Sequence, residues 1–285
     1  VTLSLFGTRF TNRVLLAAGT CGFGAEVADT VDLEALGGFV TKSVTPEPRA
    51  GNAAPRVAEF GAGMLNSIGL ANPGVAAVRR ERLPWIAANI HRARVWVSVA
   101  GHAIDDYFSV VETLDDADGF VGFELNLSCP NVGGRPFALD IDALRRVLEG
   151  CRSRTQRPLW AKLAPNDPDL VATAQAAEQA GADALTLVNT LPGRALDPRT
   201  GTPALGAGQG GVSGPALRPV GVQAVAAVAP AVSIPVIGVG GIGRADDARQ
   251  YLIAGARLVQ MGTASFANPR AAERVARTLG TDSDD

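Results

Sequence analysis

Val220-Gly221-Val222-Gln223-Ala224-Val225-Ala226-Ala227-Val228-Ala229-Pro230-Ala231-Val232-Ser233-Ile234-Pro235-Val236-Ile237-Gly238-Val239-Gly240-Gly241-Ile242-Gly243 carries no charge. A stretch this long raises the question of a membrane span, which needs about 20 predominantly apolar residues. Pro230 and Pro235 inside it, Pro219 just before it and the repeated glycines interrupt the continuous helix that a span requires. A helix, a turn and a buried strand account for the same residues. Leu217 to Val228 places apolar residues three and four apart, Ser233-Ile234-Pro235 reads as a connection, and Pro235 to Val239 as a short apolar strand. A helix leading into a buried strand is the repeating piece of a parallel sheet.

Copies of that piece run along the whole chain. Strands are expected near Val14 to Ala18, Phe39 to Lys42, Val95 to Val99, Phe120 to Leu127, Leu159 to Leu163, Ala184 to Val188, Val236 to Val239 and Leu258 to Met261. Helices are expected at Asp142 to Cys151, Pro168 to Ala180, Leu217 to Val228 and Arg244 to Ala254, with Asp140 and Asp167 as N-caps and Gly181 and Gly255 as stops. Ala-Gly-Ala before a strand recurs at 180–182 and 254–256. Eight strands in 285 residues lie close to the roughly 250 usual for an eight-stranded α/β barrel. The expected fold is therefore α/β, a (β/α)8 TIM barrel in one domain over residues 1–285. Leu3 to Leu5 and Thr8 to Phe10, divided by Gly7, form an N-terminal β-hairpin closing the amino-terminal face. The connections 43–70 and 191–215 are long βα loops that rise over the C-terminal face, where such barrels build their sites.

Composition removes several classes of function. Lys plus Arg is 26, Asp plus Glu is 28 and the net charge is −2, with no basic block to follow nucleic acid or an anionic membrane. Cys21, Cys129 and Cys151 are too dispersed for disulfides, zinc or an iron–sulfur cluster, so no metal is expected. Arg9 and Arg13 interrupt the first apolar residues before a signal peptide can form, and a cytoplasmic protein is expected.

Polar residues terminate several of the apolar strands. Lys42 follows Phe39-Val40-Thr41, Asn126 follows Leu125, Lys162 follows Trp160-Ala161, and Asn189-Thr190 follows Leu187-Val188. A lone strand-end lysine is ordinarily a solvated rim residue; several polar ends on one face are harder to explain by solvation. Glu124-Leu125-Asn126-Leu127-Ser128-Cys129-Pro130-Asn131 ends a strand in amides, a hydroxyl and a thiol, because Pro130 cannot continue a ladder. Glu124 shares the inward face with Asn126 and is read as structural, held by a buried partner. The last two strands end in Gly240-Gly241-Ile242-Gly243 and Gly262-Thr263. Glycines let backbone N–H groups approach an anion, and in barrels this pair of loops is a frequent phosphate site. A phosphorylated cofactor over the barrel mouth, opposite two strand-end lysines, fits flavin mononucleotide.

The order of these segments resembles the dihydroorotate dehydrogenases, especially the soluble class 1B catalytic subunit. The resemblance rests on Thr41-Lys42-Ser43-Val44-Thr45, Arg49 to Asn52, Pro55 to Glu59, Gly63 to Gly74, Glu124 to Asn131, Asn189-Thr190-Leu191, Gly211 to Pro215 and Gly240-Gly241, which span nearly the whole chain. It implies FMN over the barrel mouth and oxidation of dihydroorotate to orotate, in the synthesis of UMP. Cys129 is then the base that takes the C5 proton while a hydride leaves C6 for the flavin. An unperturbed thiol with a pKa near 8.5 is only about 3% ionised at pH 7, so nearby cations or helix ends must raise that fraction.

By the same resemblance Lys42, Asn66, Ser67, Ile68, Gly69 and Leu70 hold the pyrimidine and its carboxylate, and Asn126, Asn131, Asn189 and Thr190 complete the polar ring. Amides suit a heterocycle with alternating N–H and C=O groups because each offers donor and acceptor. The implied flavin contacts are Ala18, Gly19, Lys42, Ser43, Ser98, Asn126, Lys162, Val188, Gly214, Gly240, Gly241, Gly262 and Thr263. Lys162 lies by the flavin pyrimidine, where a cation favours the reduced form. Ser98 replaces the usual Asn and Ala18 a common Ser, so hydrogen-bonding capacity towards the flavin differs there.

Cys129 in place of a serine base argues against the quinone-using relatives. The soluble classes use either fumarate or NAD, the latter through a second subunit carrying FAD and an iron–sulfur cluster. Met64-Leu65-Asn66 and Val188-Asn189-Thr190 resemble the NAD class, which implies a homodimer joined to an electron-transfer partner subunit as a heterotetramer. The competing readings are a fumarate-using class 1A-like enzyme, a dihydropyrimidine dehydrogenase-like flavin enzyme, a flavin enzyme acting on transfer RNA and a non-catalytic barrel. Lys42 with the 66–70 segment disfavours the second of these, because a carboxylate-binding set is wasted on uracil.

Overall fold

The structure, a computed structural model, describes residues 3–128 and 137–281. Two short strands, β1 (Leu3–Leu5) and β2 (Thr8–Phe10), open the chain. They pair antiparallel with Leu5 opposite Thr8, so Phe6-Gly7 is a two-residue turn. Both turn residues have positive φ, 55° and 68°, the type I′ geometry that matches the twist of flanking strands.

The strands that follow are β3 (Val14–Leu16), β4 (Gly38–Val40), β5 (Val57–Phe60), β6 (Gly63–Asn66), β7 (Arg94–Val99), β8 (Gly122–Asn126), β9 (Leu159–Lys162), β10 (Ala184–Leu187), β11 (Leu191–Gly193), β12 (Gly210–Ser213), β13 (Val236–Val239) and β14 (Leu258–Met261). Eight of them, β3-β4-β7-β8-β9-β10-β13-β14, close into a parallel barrel. All eight expected strands are present. They are buried on both faces, which is why they read as unbroken apolar runs rather than as alternation.

The barrel interior is layered. At its amino-terminal end Trp96 and Trp160 stack with ring centroids 3.9 Å apart, and Phe10 of the hairpin stacks on Trp96 at 5.5 Å. Leu3, Leu15, Val40, Ala184, Ile237 and Leu258 complete the buried part of this cluster. The hairpin therefore plugs the bottom of the barrel by apolar contact. A larger cluster lies between the strands and the surrounding helices.

The helices follow the expected apolar spacing with small shifts. Asp140 caps the helix Ile141–Arg152 by accepting from the Ala143 N–H at 3.1 Å. The next helix, Leu170–Gln179, begins later than Pro168 and is capped by Asp169, not by Asp167. Asp167 instead accepts from the Asp169 N–H at 2.9 Å, a turn contact that leaves the capping role to its neighbour. Gly181 and Gly255 follow helices with φ of 96° and 114°, the left-handed stop that suits glycine.

The two long connections are not simple loops. Segment 43–70 supplies β5 and β6, segment 191–215 supplies β11 and β12, and the four strands form one antiparallel sheet in the order β11-β12-β6-β5. Asn66 of β6 pairs with Gly211 of β12.

Candidate active site

The middle layer of the barrel is polar. Glu124 of β8 is wholly buried, and three donors converge on its carboxylate: Lys162 Nζ at 3.3 Å, Thr186 Oγ1 at 2.9 Å and Gln260 Nε2 at 2.7 Å. These come from β9, β10 and β14, so one carboxylate ties four strands together. An unpaired carboxylate at this depth would be prohibitive; paired and hydrogen-bonded it is tolerated. Thr186 and Gln260 were not anticipated from the sequence. The signal was a polar residue inside the runs Ala184-Leu185-Thr186-Leu187 and Leu258-Val259-Gln260-Met261.

One layer higher the strand ends turn into amides. Asn189 Nδ2 donates to Asn126 Oδ1 at 2.9 Å, and Asn189 Oδ1 accepts from the Thr190 N–H at 2.8 Å. The Tyr107 hydroxyl donates to the Asn126 carbonyl at 2.8 Å and fixes that strand end. Asn66 Nδ2 donates to the Gly211 carbonyl at 3.2 Å. Gly211 in turn lies so close to Thr190 that an added Cβ would come within 2.5 Å of the Thr190 Cβ. Asn66, Gly211, Thr190, Asn189 and Asn126 thus form one chain of contacts from the antiparallel sheet to the barrel strands.

The segment Ser67 to Leu70 is held from behind. Asn52 Nδ2 donates to Ser67 Oγ at 2.7 Å, the Asn52 N–H donates to the Ile68 carbonyl at 3.1 Å, and Asn72 Nδ2 donates to the Leu70 carbonyl at 2.8 Å. Gly69 and Leu70 both have positive φ, 71° and 56°. Such a conformation is costly for leucine and persists where surrounding bonds over-determine it.

The glycine turns after β13 and β14 sit together. Gly240 and Gly241 have φ of 129° and 66°, and Gly214, at the end of β12, has 91°. A Cβ on Gly241 would press on the Gly214 carbonyl at 2.7 Å. Thr263 Oγ1 donates to Ser213 Oγ at 2.8 Å, which joins the β14 turn to the sheet. The Tyr251 hydroxyl donates to the Gly240 carbonyl at 2.7 Å. The amino end of the helix Ala245–Ile253 is already taken: Asp247 accepts from the N–H groups of Gly243 and Arg244 at 3.0 and 3.2 Å and pairs with Arg218. An anion here must therefore use earlier N–H groups, those of Gly240 to Ile242 and of Gly262 and Thr263.

Of the remaining expected residues, those the structure describes lie at or just after the ends of β3, β4, β7 and β10. Lys42 and Ser43 follow β4, and the Lys42 N–H donates to the Gly22 carbonyl at 2.7 Å. Ser98 is wholly buried and shares a 2.9 Å hydrogen bond with Ser43. Its hydroxyl is thus engaged within the protein. Ala18 packs against the lower cluster, and Gly19 (φ 83°) has open space where a Cβ would stand. Val188 is buried and its N–H donates to the Val239 carbonyl at 3.1 Å. Cys129 and Asn131 lie outside the described residues. Cys21 and Cys151 are buried, and burial pushes both thiols up to about 12. Among the described residues no group of three His, Cys, Asp or Glu side chains could hold a metal ion, and no helix is long and apolar enough to cross a membrane.

Against known proteins, a family model described as "Dihydroorotate dehydrogenase" matches residues 1–282. The chain is 47% identical over 279 residues to a protein of Solibacter usitatus named "Putative dihydroorotate dehydrogenase A (fumarate)", covering 97% of this chain and 91% of the relative. It is 43% identical over 281 residues to the "Dihydroorotate dehydrogenase B (NAD(+)), catalytic subunit" of Citrifermentans bemidjiense, covering 98% and 92%. The protein of the same name from Bacillus pumilus is 45% identical over 269 residues, covering 94% and 86%.

Proposed function

This chain belongs to the dihydroorotate dehydrogenase family, and on that premise we propose that it oxidises dihydroorotate to orotate in the cytoplasm, as a step of pyrimidine biosynthesis. The observation that carries the reading is the contact chain from Asn66 through Gly211, Thr190 and Asn189 to Asn126, which lines one mouth with amides and a hydroxyl. Such groups match a ring of alternating donors and acceptors. Lys42 and Asn66, with the backbone of 67–70, take the substrate carboxylate, and Asn131 completes the ring.

FMN is the cofactor, and its fit rests on the glycine turns. Gly214, Gly240, Gly241 and Gly262 leave a cradle free of their own side chains, and Thr263, its hydroxyl turned to Ser213, adds its N–H, so that backbone N–H groups can meet a phosphate. Gly19, Ser43, Lys162 and Val188 border the flavin ring. When bound, the cofactor supplies a two-electron acceptor for the hydride that leaves C6. The Cys129 thiolate takes the C5 proton, so the loss of one proton and one hydride leaves the C5–C6 double bond of orotate. The loss of the C5 proton makes the rate rise with pH as that thiol ionises.

Electrons then pass to NAD through a partner subunit bearing FAD and an iron–sulfur cluster, in a heterotetramer built on a catalytic homodimer. The relatives named as NAD(+) catalytic subunits support NAD as the acceptor and the existence of a partner subunit. The 47% identical relative named for fumarate supports direct oxidation by fumarate as the second reading. Anaerobic dihydroorotate is expected to bleach the yellow protein, whereas dihydrouracil is not. Reoxidation by fumarate alone would select the second reading; a requirement for NAD and the partner subunit would select the first. A colourless protein that binds no FMN refutes both.

A further inference from the structure

The buried charge layer beneath the mouth has a second role, which rests on the flavin reading above. Glu124 is saturated by donors from β9, β10 and β14, whereas Lys162 is not. Among the described residues the Lys162 ammonium has one hydrogen-bond partner, Glu124 Oε1 at 3.3 Å, although it can donate three bonds. Gln260 Oε1, in the same layer, is buried without a partner. If the layer served only to tie strands together, apolar side chains of similar volume would do so at lower cost, because removing two charges from water is expensive. A cation with spare donors, at the end of β9, needs a use.

We propose that Glu124 is a positioning residue: it anchors the Lys162 ammonium below the flavin and offsets part of its charge, which sets how readily the flavin is reduced. Thr186 and Gln260 hold the carboxylate in place, so the offset is built into the barrel wall and does not depend on a mobile side chain. Burial from water makes each charge count for more than it would in solution. Lys162 favours the reduced, more negative flavin; Glu124 behind it opposes that preference.

The test is the midpoint potential of the bound flavin, measured by dye equilibration, together with thermal unfolding of the apoprotein. Glu124→Gln keeps the shape of the side chain and removes its charge. It is expected to shift the reduction equilibrium at least tenfold towards reduced flavin, about 30 mV more positive for a two-electron couple. Lys162→Met is expected to shift it at least tenfold the other way. The double variant leaves no buried charge unpaired and is expected to return to within about threefold of the parent equilibrium. If Glu124→Gln alone does not fold, Glu124→Asp, which keeps the charge but draws it back from Lys162 by one methylene, is expected to shift the equilibrium in the same direction and by less, and an unmoved potential in a folded Glu124→Asp protein overturns the proposal. A purely structural role predicts lowered unfolding temperatures with unmoved potentials, and that result overturns the proposal. Yellow variants with parental potentials remove this inference and leave the flavin reading standing; a protein that never holds flavin removes both.

Discussion

Replacing Gly211 by alanine tests whether the sheet over the mouth positions the substrate-binding amides. Gly211 sits between Asn66, which pairs with it across β6 and β12, and Thr190, against which it lies with no side chain between. An added Cβ would stand 2.5 Å from the Thr190 Cβ and closer still to its hydroxyl. Real Cβ atoms essentially never approach within 3.0 Å, so the two carbons must separate by 3.0 − 2.5 = 0.5 Å, and the hydroxyl by more. The contacts leave two ways to move: Thr190 retreats towards Asn189, or β12 shifts and carries Asn66 with it. Either way two groups of the ring change place. Misplacement of about 1 Å at a reacting centre can cost about 10²-fold in rate. Overpacking of this kind costs roughly 1–3 kcal/mol of stability, which a folded barrel survives. The expected result is a fall of roughly 10- to 100-fold in kcat/KM for dihydroorotate, with flavin content unchanged. Gly61→Ala, in the β5–β6 turn where a Cβ meets nothing within 4 Å, is the control and is expected to behave like the parent. A Gly211→Ala enzyme that turns over within about threefold of the parent refutes the claim that this contact places Thr190.

Three further outcomes follow from the description. Phe10→Ala removes the buried ring that stacks on Trp96 and is expected to cost about 3–5 kcal/mol in urea unfolding, while the flavin bound per folded molecule stays constant. Cys21 and Cys151, with thiols pushed up to about 12 by burial, are expected to resist a disulfide reagent at pH 8 until the protein unfolds. Replacing either by alanine leaves the basic limb of the pH–rate profile in place, whereas Cys129→Ala abolishes turnover at every pH. Arg270 beside Glu273, together with the Asp32 N–H, holds the Glu273 carboxyl below its usual range. Its stabilising contribution is full above the unfolded value of about 4.3 and is lost as pH falls through the lower folded value. Glu273→Gln is therefore expected to be about 1 kcal/mol less stable than the parent at pH 7, the gap closing on acidification as followed by denaturant unfolding at each pH.

The eight barrel strands were legible because parallel strands buried on both faces leave unbroken apolar runs such as Val14-Leu15-Leu16 and Leu258-Val259-Gln260-Met261. The antiparallel sheet was not. Leu191-Pro192-Gly193 and Gly210-Gly211-Val212-Ser213 carry little periodicity, and their pairing joins segments far apart in the chain. The strand-end residues Lys42, Asn126, Lys162, Asn189 and Thr190 were found from their position alone. What holds them was hidden: the donors to Glu124 come from three strands, β9, β10 and β14, that meet across the interior only once the barrel closes. Asp247 was hidden in the same way. The glycine run marked these loops for an anion, but it did not show that a carboxylate two residues into the following helix accepts from the Gly243 and Arg244 N–H groups.

The pairing of Asn66 with Gly211 spans 145 residues, and this distance governs the order of manufacture. At a synthesis rate of about 5–20 residues per second, the first half of the mouth waits roughly 7–30 s for its other half to leave the ribosome. Through that interval β6 has no partner on the side that β12 will cover, an open strand edge paired only with β5. On the proposed reading, substrate recognition is thus a late property of the nascent chain: one cut short before Gly210 has six of the eight barrel strands but lacks the half of the mouth that pairs with Asn66.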